Sequence, residues 1–537
     1  MLPALPTARR LPSKRKPDVV VIGSGVGGSM AAHALIGAGL DVQMIERGVP
    51  VKRGEQNWAR DAAIELSPYY SMESHYRLRG TSRGRKGSYQ CVGGPSLFYG
   101  GIALRLRSTD FDRRPEIVGA TGAAWPISYE DLAPYYRVAE GILGVAGRNA
   151  HNPADPAEAA VYPFRSPPMQ GPARVIRDAA AGLGLHPSHL PLAIDFEGTG
   201  SGMKPCLKCG TCDGYVCAVG AKREPATAVL PGLVGRGLTL VPNTVAVRIL
   251  WRGRRIAGVV GIDRKSGRRT VFTGRCYILA GGALGSAHLA LASGLASASP
   301  AGGWVGRCLM RHCNMIAYGI FRGPLDGCEA FHKQIGIFDH YGLREDEPKF
   351  GIIQSIHAPP PGVIADRLPG FMSNVLDPWI PWCTGLLAIA EDEPRRENRV
   401  EVSRIRSDRY GIPRATITHR YTRRDLAARR HLAGVARAVL RAAGARVIPT
   451  LAIHTFSHAV GTLRMGPDPR MAPLDRWCRF RGTDNLWVTD GSFMPRSAAV
   501  NPSLTIAANA LRVAERIAGV RRASRIARQA RLVGSLA

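Results

Sequence analysis

The stretch that most constrains this chain runs from Ile22 to Gly48. It reads I-G-S-G-V-G-G-S, then a helix of small residues, then a strand ending M-I-E-R-G. Gly23, Gly25 and Gly28 form a G-x-G-x-x-G. The apolar run Val19 to Ile22 precedes them, and Glu46 closes the next strand, 23 residues after Gly23. Each part has a physical task. Gly23 permits a tight strand-to-helix turn, Gly25 lets backbone approach a pyrophosphate, and Gly28 lets helix and strand pack closely. The helix start offers free N–H groups and partial positive charge to phosphate. Glu46 can accept the hydroxyls of an adenosine ribose. The register predicts a βαβ dinucleotide site and does not by itself separate FAD from NAD.

At 537 residues the chain can bury a large core in two domains or one composite domain. No stretch is apolar for long enough to span a membrane as a helix. Met1 to Pro17 is basic and proline-rich and lacks the apolar core of a secretory signal. Residues 1–16 therefore read as a disordered arm on a cytoplasmic protein. The formal charge of +31 would suit nucleic acid or an acidic surface. The basic residues, however, are spread along the chain, in short runs such as Arg77–Lys86, Arg420–Arg430 and Arg521–Arg531. No zinc finger, RNA-binding signature or basic heptad accompanies them, so specific nucleic-acid binding is not expected. Peripheral contact with acidic surfaces stays open, and 521–537 reads as a basic tail.

Between the glycine fingerprint and the C-terminus the pattern is mixed. The segment Val49 to Arg79 reads as surface-crossing chain. Two Gly-Gly pairs between Cys91 and Gly101 mark backbone that passes close to something flat or bulky. Ser128 and Asp131 make a capping box that starts a helix to about Leu143, and Asn149 to Pro172 reads as linker. Arg174 to Leu185 reads as a helix. Short strands at Leu238–Val241, Ala246–Trp251, Ile256–Ile262 and Arg269–Phe272 suggest an antiparallel excursion. Cys276 begins a buried strand that enters a Gly/Ala turn and a helix from Ser286 to Ser293. A long Arg/Ala helix follows from Thr422 to Ala443.

The C-terminal block holds His458-Ala-Val-Gly-Thr, then Asp490-Gly-Ser, then Asn501-Pro502 opening a last helix. Asn501 fits a helix N-cap with proline at N1. A histidine near its ordinary pKa of about 6.5 can take a hydroxyl proton at physiological pH. An amide can donate to a developing oxyanion without competing for that proton. His454 reads as a neighbour of His458, and His75, His312 and His419 carry no motif and no assigned role.

In this order the motifs resemble the glucose–methanol–choline (GMC) flavin oxidoreductases nearly end to end. The resemblance rests on the early glycine fingerprint, Gly93-Gly94-x-Ser96, Ala280-Gly281-Gly-Ala, the H-x-x-G-T at His458 and the D-G-S…N-P ending at Pro502. The Trp125-Pro-Ile region and Asn398-Arg-Val-Glu…Tyr410-Gly-Ile-Pro look most like the sugar, polyol and aminoglycoside branch. The resemblance implies an α/β fold: a Rossmann-like FAD domain from 17–110, 200–300 and 455–520, and a substrate domain on an antiparallel sheet with helices from 111–199 and 301–454. It implies FAD as cofactor and oxidation of a CH–OH group by hydride transfer to flavin N5, on a sugar, polyol or glycoside. Oxygen, a redox protein or a quinone would accept the electrons. His458 and Asn501 would be the catalytic pair. Gly93, Gly94, Ser96, Tyr99 and Gly100 would lie along the flavin ring, with Ala280, Gly281, Asp490, Gly491 and Pro502 around the rest of the cofactor. Some members bond FAD through a histidine before the Gly-Gly loop. Gln90-Cys91-Val92 stands there instead, so non-covalent FAD is expected, with no attachment at Cys91.

Two rival readings stand beside this one. Phe371 to Leu387 is apolar, which suits a long-chain or steroid alcohol. The basic composition also suits a non-catalytic scaffold that keeps the fold. A cationic substrate would need acidic residues in the pocket, and Glu391, Asp392 and Glu393 are the local candidates. Cys206, Cys209, Cys212 and Cys217, four of 11 cysteines, could be structural thiols or a disulfide, an iron–sulfur site, or a zinc site. The remaining cysteines are scattered, unlike a secreted disulfide framework.

Overall fold

The computed structural model describes residues 16–148, 161–198, 204–325, 331–342, 348–360, 362–363 and 377–519. The basic arm up to Arg15, the first half of the 149–172 linker, the 521–537 tail and the start of the Phe371–Leu387 stretch lie outside them.

A five-stranded parallel sheet stands at the centre, in the order Leu486–Val488, Cys276–Leu279, Val19–Ile22, Val42–Ile45, Leu238–Val241. Val19 pairs in register with Cys276 on one side and Val42 on the other. All four residues of the Val19–Ile22 strand are buried, as an unbroken apolar run requires when helices cover both sheet faces. The first helix, Val26–Gly37, follows directly. It packs on the C-terminal helix, Ser503–Ala518, which packs in turn on Tyr129–Leu143. That last helix carries the expected Ser128/Asp131 box and stops at Gly144, whose φ of 57° is left-handed. The antiparallel excursion is present as a sheet of Thr244–Arg252, Arg255–Asp263 and Arg269–Phe272.

A six-stranded antiparallel sheet runs Thr450–Ala452, Met315–Ile320, Cys383–Ala390, Gly351–Ile356, Ile335–Ile337, Ser188–His189. The long helix Arg423–Ala442 lies on it, and Leu432, Ala436, Val439 and Leu440 pack with Met315, Ala317, Ile353 and Leu386. Thr422 caps this helix by accepting from the Asp425 N–H at 3.1 Å, while its own N–H donates to the Asp425 carboxylate at 2.9 Å.

Three expectations need correction. The surface-crossing segment contains a strand, Tyr70–Gly80, paired with Gly84–Tyr89 and, in parallel, with Pro413–His419. Tyr76 alone of its residues is fully buried, so no alternation betrays it. This four-stranded sheet ties residues 70–89 to 399–419, across the two groups of segments that the sequence separates. The helix after Cys276–Leu279 begins at Gly282 rather than Ser286, because the Gly/Ala turn folds back and Gly281 N–H reaches Ser286 Oγ at 3.0 Å. Finally, Pro502 rather than Asn501 is the N-cap of the last helix. The Pro502 carbonyl accepts the Ile506 N–H at 3.0 Å, and Asn501 stands one residue outside.

Candidate active site

Four segments meet at the C-terminal edge of the parallel sheet. The glycine requirements there are of two kinds. A Cβ on Gly23, with φ +106°, would collide with the Ala280 carbonyl, and one on Gly28 with the Gly23 carbonyl. Those positions are glycine for the protein's own packing. A Cβ on Gly25 would find only Gly93 O, at 4.0 Å, and Gly25 has an ordinary φ of −66°. Gly25 caps the first helix, whose first turn has no side-chain cap. That open cradle before free N–H groups fits a pyrophosphate. Glu46, almost fully buried, is fixed by Ser24 N–H at 2.9 Å, Ser24 Oγ–H at 2.7 Å and Gly48 N–H at 2.7 Å. Three of about four carboxylate lone pairs are engaged, and one remains for a further hydroxyl. The site residues of this chain therefore fit a dinucleotide such as FAD.

The Gly93–Gly101 loop lies against this cradle. Gly93 N–H donates to Ser24 Oγ at 2.9 Å, and Gly93 and Gly94 hold φ of 97° and 67°. Ser96 Oγ–H is turned back to the Gly93 carbonyl at 2.8 Å, and the Tyr99 hydroxyl donates to the Arg223 carbonyl. The Lys222 ammonium donates to the carbonyls of Tyr99, Cys212 and Tyr215 at 2.7 to 2.8 Å. It thereby fastens the glycine loop to the cysteine-rich loop. Asp490 is buried and accepts from Ser286 Oγ–H at 2.5 Å and Ser492 N–H at 2.9 Å. Burial holds its pKa above the ordinary value. Gly491 follows it against Ile506 and Val460.

His458 and Asn501 are neighbours, with Asn501 Nδ2 3.4 Å from His458 Nε2. The residue that sequence reasoning missed is His312. Its Nδ1 lies 2.9 Å from His458 Nδ1, and its Nε2 lies 3.0 Å from the Ser497 carbonyl. A carbonyl only accepts, so His312 Nε2 carries the proton. Burial lowers the His312 pKa, so the ring is neutral and its Nδ1 holds a lone pair. His458 Nδ1 must then be the N–H donor, which leaves His458 Nε2 as a free base facing Asn501. Burial, with His312 and Lys333 close by, pushes the His458 pKa down to about 3, far from the ordinary value that the sequence suggests.

His419 also has a place, against expectation. Asp392 is saturated by Arg311 N–H, His312 N–H, Ser497 Oγ–H and His419 Nε2–H, at 2.8 to 3.2 Å. It holds the backbone that carries His312. Glu391 makes a two-pronged pair with Arg496 and a second pair with Lys349. These two acids are buried and paired inward, so they are not pocket charges for a cationic substrate. His75 Nδ1 faces the Met72 carbonyl, and the His454 carbonyl accepts from Arg311.

Cys206, Cys209, Cys212 and Cys217 are free thiols lining one small cavity with Ile194 and Lys222. Burial pushes the Cys206 thiol up to about 12 and raises Cys212 as well. Among the described residues no three His, Cys, Asp or Glu side chains are grouped to hold a metal ion. Cys91 is buried, its thiol facing the Gly94 carbonyl at 3.4 Å, and burial raises its pKa.

A parallel-sheet dinucleotide cradle beside an oriented histidine base defines a nucleotide-dependent oxidoreductase. The chain belongs to the GMC oxidoreductase family: residues 86–314 and 394–510 match that family, and residues 18–67 match an FAD binding domain. It is 32% identical to 6'''-hydroxyparomomycin C oxidase of Streptomyces lividus, over 95% of this chain and 93% of that one. Paromamine 6'-oxidase of Streptomyces fradiae is also 32% identical, over 94% and 91%. The fructose dehydrogenase large subunit of Gluconobacter japonicus is 26% identical, over 93% and 97%. Among solved structures, pyridoxine 4-oxidase from Mesorbium loti shares the fold with a TM-score of 0.67 at 18% identity, over 94% of this chain and all of that one. The family brings FAD as cofactor.

Proposed function

We propose that this chain oxidises a CH–OH group of a sugar, polyol or glycoside to a carbonyl, with His458 as base and Asn501 as its partner. The observation that carries this reading is the fixed tautomer of His458, whose free Nε2 faces the Asn501 amide. The two relatives with 32% identity, named 6'''-hydroxyparomomycin C oxidase and paromamine 6'-oxidase, support the substrate class.

FAD, when bound, supplies the hydride acceptor; Gly23 to Gly28, Glu46, Gly93 to Gly100, Ala280, Gly281, Asp490, Gly491 and Pro502 are proposed to hold it. The substrate hydroxyl donates to His458 Nε2, and Asn501 Nδ2–H donates to the substrate oxygen. A base held at about 3 is too weak to strip a free alcohol. It takes the proton as the C–O bond gains carbonyl character and the hydroxyl becomes strongly acidic. His312, accepting from Nδ1–H, keeps the His458 ring aligned while it does so. Oxygen, a redox protein or a quinone is proposed as final acceptor.

Among the described residues no helix is long and apolar enough to cross a membrane. The scattered cysteines fit a reducing, cytoplasmic setting, which is part of the proposal.

The test is anaerobic mixing of the FAD-loaded protein with sugars, polyols and fatty alcohols, followed at the flavin bands. Bleaching by the polyhydroxylated compounds is the expected result. Bleaching by fatty alcohols alone would replace the substrate class, and no bleaching by any alcohol would sink the reading. Admitting air afterwards separates oxygen from a protein or quinone acceptor.

A further inference from the structure

One polar cluster between the glycine loop and the antiparallel sheet is not used by the catalytic pair. Asp213, from the cysteine-rich loop, forms an ion pair with Lys333, and its Oδ2 accepts from His357 Nδ1–H at 3.2 Å. Lys333 and His357 come from the sheet side, and both side chains are only 3% exposed, whereas the Asp213 side chain is 29% exposed. The cluster abuts Gly100: a Cβ there would collide with Asp213 Oδ1 and Lys333 Nζ. Lys333 is also close enough to His458 for its charge to lower that pKa. The cluster thus lies against the same loop as the proposed flavin ring and on the same side as the base.

Its hydrogen-bond inventory is specific. Because the carboxylate accepts from His357 Nδ1–H, Nε2 is the ring nitrogen left to face a ligand, and in that tautomer it carries the lone pair. That atom is buried and has no partner. Leaving such an acceptor unmet is costly unless a ligand completes it. The Asp213 carboxylate has accessible surface and spare lone pairs. Lys333 already balances its charge, so the cluster offers two acceptors in a neutral setting. That pattern matches two neutral O–H donors on one molecule. An ammonium group would give up its hydration there without a net opposite charge in the paired cluster to offset the loss.

We propose that Asp213, Lys333 and His357 form a hydroxyl-reading subsite, in which Asp213 and His357 Nε2 each accept from a ring hydroxyl of the substrate while its reacting CH–OH lies at His458. The cysteine-rich loop is then the arm that delivers Asp213, anchored by Lys222. This rests on the alcohol-oxidation reading above and narrows its substrate to neutral, vicinally hydroxylated rings.

The test uses the FAD-loaded protein and three primary alcohols that share a hydroxymethyl group on a six-membered ring: methyl α-D-glucopyranoside, methyl 2-amino-2-deoxy-α-D-glucopyranoside and cyclohexylmethanol. Wild type should favour the glucoside. Asp213→Asn and His357→Leu should each lower kcat/KM for the glucoside relative to cyclohexylmethanol by roughly tenfold or more, mostly through KM. His357→Gln, which restores an acceptor, should recover part of the loss. Calorimetric binding of methyl α-D-xylopyranoside, which lacks the hydroxymethyl group, should weaken in parallel and reports without turnover. Flavin absorbance per chain checks that each variant is loaded. Equal losses on glucoside and cyclohexylmethanol, unchanged xyloside binding, or a wild-type preference for the amino sugar would overturn the subsite. Flavin bleaching by none of the three alcohols would instead sink the alcohol-oxidation reading.

Discussion

His312 shows how much one ring can decide. Its Nε2–H is committed to the Ser497 carbonyl, so its Nδ1 faces His458 and fixes which way that ring is turned. Replacing it with leucine should leave FAD bound and lower kcat/KM on the order of 10- to 100-fold. His312 also helps to hold the His458 pKa down. Its loss should therefore move the acid limb of the pH–rate profile to higher pH, and an unmoved limb would show that His312 only fills space. Gly25 offers a second residue-scale test. Because a Cβ there meets no protein atom closer than 4.0 Å, Gly25→Ala should leave the melting temperature of the FAD-free chain nearly unchanged while FAD affinity falls. Gly28→Ala, which drives a methyl into backbone, should lower both. His458 and Asn501 were legible because each sits in a short motif. His312 was not, since its partner is 146 residues away and no local pattern marks it. Asp213 and Lys333, 120 residues apart, were invisible for the same reason.

Elements differed in legibility according to how much of their pattern is local. The long Arg/Ala helix was readable because the Thr422–Asp425 box and the spacing of Leu432, Val439 and Leu440 lie within its own turns. Thr422→Ala should cost about 1 kcal/mol, read from the denaturation midpoint of the holoenzyme. Tyr70–Gly80 could not be read. Both sides of that strand are half-covered, so burial there follows from Pro413–His419 rather than from its own sequence. The last helix was placed one residue early. Asparagine before proline is a good local cap, yet the cap falls on Pro502 and Asn501 Oδ1 accepts no hydrogen bond from the helix N–H groups. The correction matters for chemistry: the Asn501 side chain does not cap the helix and is free to face His458.

The whole molecule resists protonation at several histidines. His458 is held at about 3 and His332 at about 4, both by burial, whereas the unfolded chain takes those protons near 6.5. The unfolded state therefore binds more protons between these values. This stabilisation is fully present above about pH 6.5 and is lost as pH falls. His458 alone should account for on the order of 3 kcal/mol by pH 4. Asp425, raised to about 6 by burial, works the other way. Urea midpoints should decline steadily from pH 7 to pH 4.5, before ordinary carboxylates titrate; a flat profile would count against neutral buried histidines.

The order of strands in the parallel sheet has a consequence for synthesis. The Val19–Ile22, Val42–Ile45, Leu238–Val241 and Cys276–Leu279 strands all emerge before the antiparallel sheet is finished, and Leu486–Val488 joins last, at one edge. His458 and Asn501 flank that final strand in the chain. A growing polypeptide thus gains the Gly23–Gly28 turn long before it has His458, and the proposed catalytic pair comes together only when the closing segment docks, so the site is completed at the end of synthesis.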